Sequence, residues 1–486
     1  MAELIMAADC PNKMTSLIQN SDPFDRGSTV FVYLIAVAAA MSGLLFGFDI
    51  AVINGAIIFI REQFGLSEVQ TEVAASSLLF GCIFGASAAG WLSDRFGRRR
   101  VLMACALLFA LSGLGAALPQ NLIQFTMARF AGGIAVGAAS LLAPIYIAEV
   151  SPARIRGRLV ALNQMTIVSG ILLAYLVNWL LSYAGPSGWR WMFAFAAVPS
   201  VAFFIALLYV PESPRWLTEK SREGEALHVL ARINGQAVAK VELEQIRAAV
   251  AEEVGSLREL FEPGLRRALG LAIAMAVLQQ VTGINTVLFY GSIIFKEQVG
   301  GQSNSAAVGA NVAVGLINFL ATMVAVYFID KLGRRPLLMI SAGAMAVCQF
   351  ALGAAFLLHP PPASLVLGIM VVCVASFAVG LGPGVWVLLS EIFPNRIRGR
   401  AMAVATVSLW IACTVLTMTF LTLSTLLTPT GAFWIYGGMC IVTYLVVWLA
   451  TPETKGKSLE AIEKLWKVKS SNGSRRRATG SPGACT

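Results

Sequence analysis

Two residues stand apart by chemistry and by place. Asp49 and Arg129 carry charge deep inside long apolar runs, whereas the other ionisable side chains sit at run ends or in polar segments. A charge near the centre of a membrane helix costs roughly 2.5 to 3.5 kcal/mol on insertion scales, so a residue kept there marks a functional position with a partner. Depth names the partner. Asp49 lies twelve residues before Arg61 on a first run crossing outward, and Arg129 lies eight after Asn121 on a fourth run crossing inward. At about 1.5 Å per residue the two fall within about 6 Å of one another in depth. Burial favours the neutral acid and a nearby guanidinium favours the carboxylate, so movement of Arg129 or a change in hydration would alter the proton affinity of Asp49. The pattern reads as a proton switch; a static ion pair bolting two helices together is the rival reading.

A second group is polar but neutral. Gln279 and Gln280 stand near the middle of the seventh apolar run, Asn318 on the eighth and Trp410 on the eleventh. Gly283 lets the helix loosen before Asn285, and Gly380, Gly382, Pro383 and Gly384 predict a break in the tenth run just before Trp386. Discontinuous helices at mid-membrane mark binding sites in transporters.

The elements that must position these residues are membrane helices. With 486 residues, 57% hydrophobic and 13% charged, the chain has too few polar side chains for a soluble globule, which excludes a cytosolic enzyme. Apolar runs lie at 29–60, 73–92, 101–118, 122–148, 159–183 and 190–210, then at 268–295, 306–329, 336–357, 365–390, 401–424 and 432–450. Each is long enough to cross a bilayer. The expected organisation is an N-terminal segment 1–28, a six-helix bundle 29–210, a polar helical linker 211–267, a second bundle 268–451 and a tail 452–486. Within the linker, Glu223–Ile233 and Val241–Glu253 have helix-like mixed composition. The tail from Lys467 to Thr486, with Arg475-Arg-Arg477 amid Ser and Gly, reads as disordered and solvated, with attraction to anionic lipid as the alternative. No cleaved signal segment is expected. The eight cysteines are scattered and none pairs at metal-ligand spacing, so neither a disulfide framework nor a metal site is expected.

Basic residues cluster on alternate connections, which places those connections and both termini on the cytoplasmic side and explains the net charge of +10 without nucleic acid. The same loops betray a duplication. Asp94-Arg-Phe-Gly-Arg-Arg matches Asp330-Lys-Leu-Gly-Arg-Arg, Glu149-Val-Ser-Pro-Ala-Arg-Ile-Arg-Gly-Arg matches Glu391-Ile-Phe-Pro-Asn-Arg-Ile-Arg-Gly-Arg, and Pro211-Glu212 matches Pro452-Glu453. Because the basic loops keep one side, the halves are parallel repeats.

Over nearly its whole length the chain resembles the sugar porter family of the major facilitator superfamily. The residues that carry the resemblance are Arg95-Phe-Gly-Arg-Arg99, Pro211-Glu-Ser-Pro-Arg-Trp216, Gln279-Gln-Val-Thr-Gly-Ile-Asn285, Gly382-Pro-Gly-Val-Trp386 and Pro452-Glu-Thr-Lys-Gly456. The chain resembles bacterial sugar/proton symporters of the xylose, arabinose and galactose type and, more distantly, facilitative glucose transporters. The resemblance implies an all-α membrane protein, twelve transmembrane helices in two six-helix repeats, working by alternating access in the cytoplasmic membrane. It implies that Asp49, in a Gly-Phe-Asp motif, carries a proton under the control of Arg129. It further implies sugar contacts from Gln164 on the fifth run and from Gln279, Gln280, Asn285, Asn318, Gly382, Trp386 and Trp410 in the second half.

Departures exist: Phe289 replaces a tyrosine, Leu409 a polar residue, Cys413 an asparagine and Ile171 a glutamine of the pattern in xylose symporters. The site is less polar than theirs and does not point to xylose.

By the same resemblance Asp94, Arg95, Arg98, Arg99, Glu149, Arg156 and Glu212, with their repeats Asp330, Arg334, Arg335, Glu391, Arg398 and Glu453, form salt bridges that hold the inner side shut in the outward-facing state. Plain positive-inside anchoring would explain the arginines but not the acids beside them. The expected partners are a sugar, a proton and the lipid bilayer, the energy source a proton gradient with no cofactor, and the working unit a single chain. Facilitated uniport on the same fold is the nearest alternative, and a non-transporting sugar sensor a remote one. His228 and His359 lie in polar segments and receive no role.

Overall fold

The computed structural model describes residues 28–152, 155–251, 257–262, 265–299, 303–358 and 360–455. The expectations for the N-terminal segment, the basic tail, Cys10, Cys485, His359 and the side chain of Asp330 fall outside the described residues. What is described is helical, because a backbone without water must satisfy its own hydrogen bonds, and a helix does so within one segment.

Among the described residues, 12 helices are long and apolar enough to cross a membrane. They run Val30–Phe64, Glu68–Phe96, Arg98–Ala117, Leu122–Val150, Arg156–Ala184 and Gly188–Leu208, then Leu265–Glu297, Asn304–Ile329, Arg334–Ala355, Ala363–Glu391, Ile397–Thr417 and Phe420–Ala450. Large apolar side chains such as Leu111, Met127 and Val347 face outward on them, as a lipid-facing surface requires. Between sixth and seventh spans the helices Pro214–Glu219, Glu223–Asn234 and Gln236–Ala251 replace the apolar pattern with an amphipathic one.

The contacts divide into two units. One runs through Ile53 and resumes from Phe80 through the linker helices; the other takes Asn54–Leu79 and the C-terminal half. The second unit therefore reaches beyond the 268–451 bundle by including the far end of the first span and the near end of the second.

Within the first unit, small residues bring helices to backbone contact. A methyl group at Gly170 would lie 2.0 Å from the carbonyl oxygen of Leu44, and one at Gly47 would lie 1.9 Å from that of Ile167, which locks the fifth span against the first. Gly137 meets Cys82 in the same way across the fourth and second spans. The linker docks on the N-terminal end of the first span, where Ser28 N donates to Arg232 O at 3.0 Å and Arg232 lies over the Phe31 ring.

Among the described residues, several spans are not simple rods. The sixth is interrupted between Ala194 and Ala197, the seventh breaks after Val281 and resumes at Ile284, the tenth breaks at Gly380, and the twelfth kinks at Thr428-Pro429. The eleventh run, expected to reach 424, ends instead at Thr417, and Phe420 opens the twelfth span. Apolarity continues through this turn, so hydropathy alone misses it. Polar partners make it: Thr419 Oγ1 returns to Val415 O at 2.8 Å, and the buried Glu72 carboxylate accepts from Thr422 N at 2.8 Å, capping the new helix.

Candidate functional site

Asp49 and Arg129 meet. Arg129 Nη1 lies 3.4 Å from Asp49 Oδ1, with both side chains almost wholly buried. The shorter bond runs elsewhere, from Arg129 Nη2 to the Asp49 backbone carbonyl at 2.7 Å. Arg129 is thus fastened to the helix backbone, and the carboxylate holds it at arm's length. Its guanidinium also lies over the Phe193 ring at 5.2 Å, a contact that suits a cation in a dry setting. Asp49 Oδ2 is buried and, among the described residues, receives no hydrogen bond. An oxygen in that state is where a proton is most easily taken up or released, because binding it breaks no existing bond. Asn178, on the fifth span, donates to Val52 O at 3.0 Å and braces the first span just beyond.

The second unit gathers four of the neutral candidates. Gln279 Nε2 donates to Leu381 O at 2.6 Å and Gly382 O at 3.1 Å, in the first turn of the helix that resumes after the break at Gly380. Gln280 Nε2 donates to Gln279 Oε1 at 3.1 Å, Asn285 Nδ2 donates to Gln280 Oε1, and Asn285 also reaches Cys413 Sγ at 3.1 Å. The result is a chain of amides threaded between two broken helices. Asn318 and Trp410 are buried and Trp386 is half-buried on their spans, while Gln164 is half-buried on the fifth span in the first unit.

Gly283 has φ 81°, a left-handed conformation that Gly tolerates, with the Tyr436 ring 2.6 Å from where a side chain would start. Its loosened turn is held by Gln349 Nε2, which donates to Thr282 O at 2.7 Å. At the tenth-span break Ser341 Oγ donates to Ser376 O at 2.7 Å and accepts from Leu381 N at 3.0 Å. Sequence reading missed Gln349 and Ser341. Lone polar residues in a ninth run otherwise apolar were the signal available.

The basic-loop ends of both units repeat one arrangement. Arg98 meets Glu149 at 3.3 Å and Arg334 meets Glu391 at 2.8 Å. Ser213 Oγ bonds Glu149 and Thr454 Oγ1 bonds Glu391, each at 2.5 Å. Glu212 accepts from Arg99 N at 3.1 Å, while Glu453 accepts from Arg334 N at 3.1 Å and Arg335 N at 3.0 Å. These carboxylates cap the third and ninth spans, where Gly97 and Gly333 turn the chain with φ of 99° and 93°. Asp94 pairs with Arg98 at 3.3 Å.

Five of the arginines make other contacts. Arg95 lies over the Trp91 and Phe96 rings, and Arg156 and Arg398 reach backbone carbonyls of Ser151 and Phe393, at 3.3 Å and 3.4 Å. The side chains of Arg99 and Arg335 likewise bond carbonyls, of Leu207 and Trp448. Helix C-termini leave carbonyls unsatisfied, and arginine forks take them up.

Burial pushes the Glu453 carboxyl up, but the N–H groups of Lys455, Arg334 and Arg335 outweigh it and hold its pKa below the ordinary value.

A family model described as "Sugar (and other) transporter" matches residues 35–466. The chain is 41% identical to the arabinose-proton symporter of Bacillus subtilis over 462 residues, 94% of this chain and 99% of that one. It is 38% identical to the D-xylose-proton symporter of Escherichia coli over 476 residues, covering 90% and 96% respectively, and 36% identical to the galactose-proton symporter of that organism, covering 90% and 95%. Its fold is similar to the solved structure of the proton:xylose symporter XylE bound to 6-bromo-6-deoxy-D-glucose, with TM-score 0.78, 37% identity and coverage of 90% and 99%.

Proposed function

Because the chain belongs to the sugar porter family of the major facilitator superfamily, and so is a multi-pass transporter rather than an enzyme, we propose that it carries a hexose or pentose together with a proton into the cell. The observation that carries this reading is the buried Asp49–Arg129 pair with Oδ2 of the acid left free of donors. Protonation would remove the weaker, 3.4 Å contact to the carboxylate while the 2.7 Å bond to the backbone keeps Arg129 in place. Asp49 could therefore load and unload without ejecting its partner.

One charge moved across 100 mV is worth about 2.3 kcal/mol, enough for roughly 50-fold accumulation of a neutral solute. On this reading the amides of Gln279, Gln280 and Asn285 exchange bonds with sugar hydroxyls, aided by Gln164, Asn318, Gly382, Trp386 and Trp410. The basic loops and both termini lie in the cytoplasm. The charged corners around Glu149 and Glu391 tie helix ends in the outward-facing state, and breaking them favours the inward-open state. The protein works as a single chain.

The test is direct. Lightly buffered proteoliposomes receive arabinose, xylose, galactose or glucose, and external pH is followed. The account predicts alkalinisation outside with at least one sugar, abolished by a protonophore. Sugar entry with no pH change would establish uniport instead.

A further inference from the structure

Symport requires the proton site and the sugar site to sense one another, so something must join the helix bearing Asp49 to the helix bearing the sugar-facing amides. The first span is one helix from Thr29 to Phe64. Asn54 lies five residues beyond Asp49 on it, about 7.5 Å along the axis, and is fully buried. Its amide engages the outer part of the seventh span on both sides. Asn54 Nδ2 donates to Leu288 O at 2.8 Å and Val287 O at 3.3 Å, and its Oδ1 accepts from Ser292 N at 3.1 Å and Ser292 Oγ at 2.5 Å.

Asn311 of the eighth span closes the ring. Its Nδ2 donates to Ser292 Oγ at 3.1 Å, and its Oδ1 takes Asn54 Nδ2 at 3.3 Å. Gly291 permits the approach, since a methyl group there would lie 2.1 Å from Asn311 Oδ1. The helix so gripped, Ile284–Ile293, begins at the Gly283 break and carries Asn285 in its first turn. Pulled at its outer part, a segment hinged at Gly283 moves Asn285.

We infer that Asn54 is the positioning residue that couples the two sites, making the outer half of the seventh span move with the helix that bears Asp49. The inference rests on the symport reading. It follows from continuity: the first span has no break between Asp49 and Asn54, whereas the seventh has one at Gly283. Buried amides in such a ring cannot part singly, because each would leave donors and acceptors without water to replace them. The ring is therefore either closed or open as a whole. Further out, Arg61 pairs with Glu297 and Glu62 with Lys296 across the same two helices. Those pairs are solvated and add little.

The experiment uses the full chain in proteoliposomes and measures two quantities in the same vesicles: equilibrium exchange of radiolabelled arabinose, xylose or galactose, and accumulation driven by a pH gradient. Asn54→Leu keeps the shape of the side chain without its polar groups, and Ser292→Ala is a milder cut from the other side of the ring. In both variants exchange should stay within about twofold of wild type while accumulation falls at least tenfold and protons moved per sugar decline. Accumulation undiminished in both variants overturns the inference alone. Exchange and accumulation falling in equal proportion also overturns it, since a mere prop would do that. A wild type that exchanges sugar but never accumulates it overturns the symport reading and this inference together.

Discussion

Gly47-Phe-Asp49 leading to Gly55-Ala-Ile-Ile-Phe59 in the first span aligns with Gly283-Ile-Asn285 leading to Gly291-Ser-Ile-Ile-Phe295 in the seventh. The offset, 236 residues, also carries Asp94 onto Asp330. One ancestral segment thus holds an acid in the first half and an amide in the second. The backbones differ accordingly. At Gly47 the helix continues and packs on Ile167, whereas at Gly283 it breaks. Arg129 faces the acid, while the tenth span, in the corresponding place of the second half, contains no basic residue. On the proposed reading, the first-half helix holds a charge in oil by keeping its backbone bonded and taking one ionic partner, whereas the second-half helix, offered to a neutral, many-hydroxyl solute, gains by opening, because a break exposes backbone groups and lets side-chain amides rearrange.

The largest break in that contrast comes from removing the base alone. Arg129→Leu leaves Asp49 buried without its partner and should destabilise the protein by about 3 to 5 kcal/mol, seen as a lowered thermal midpoint in detergent. Adding Asp49→Asn reproduces the second half's neutral pattern, and most of that loss should be recovered. A double variant as unstable as the single one would contradict the charge account.

Closing the break in the second half comes next. Gly283→Ala forces a side chain into a left-handed conformation and against the Tyr436 ring, and should cost about 2 to 4 kcal/mol. Sugar affinity should fall with it, as isothermal titration would record.

Gln279→Ala probes the stitching itself. It removes the donor to Leu381 O and Gly382 O, and an expected loss of about 1 to 3 kcal/mol should appear as a KM raised roughly tenfold or more, with proton coupling intact.

The smallest effect separates the charged corners from the membrane sites. The folded pKa of Glu453 is depressed, so its contribution to stability is present above the ordinary carboxylate value and is lost as pH falls through the folded one. Glu453→Gln should lower stability modestly near neutrality, where that contribution is lost, and flatten the stability-versus-pH curve in the acidic window, where the two proteins converge. Thermal melts across the acid range check this.

Much of the design was legible before any coordinates, for reasons that vary by residue. Twelve spans could be read because twenty apolar residues in a row have few other uses. The pairing of Asp49 with Arg129 could be read because each is too costly to bury alone, and helix rise fixes depth. Gly283 and the Gly380–Gly384 cluster announced broken helices through backbone freedom. What escaped was interhelical. Asn54, Ser292 and Asn311 lie far apart in sequence, and hydropathy gives no register between spans. Glu72 sat at the edge of an apolar run, where acids are ordinary, yet it is buried and caps the twelfth span. Arg156 and Arg398 also reach backbone carbonyls, which a motif does not foretell, since it fixes which arginines stand at a helix end and not every oxygen they reach.

One comparison decides most. In proteoliposomes with an imposed pH gradient, radiolabelled sugar uptake by wild type should rise well above equilibrium, whereas Asp49→Asn should still exchange sugar across the membrane but only equilibrate it. If Asp49→Asn drives accumulation as strongly as wild type, the proton is carried elsewhere and the role given to this buried acid is wrong.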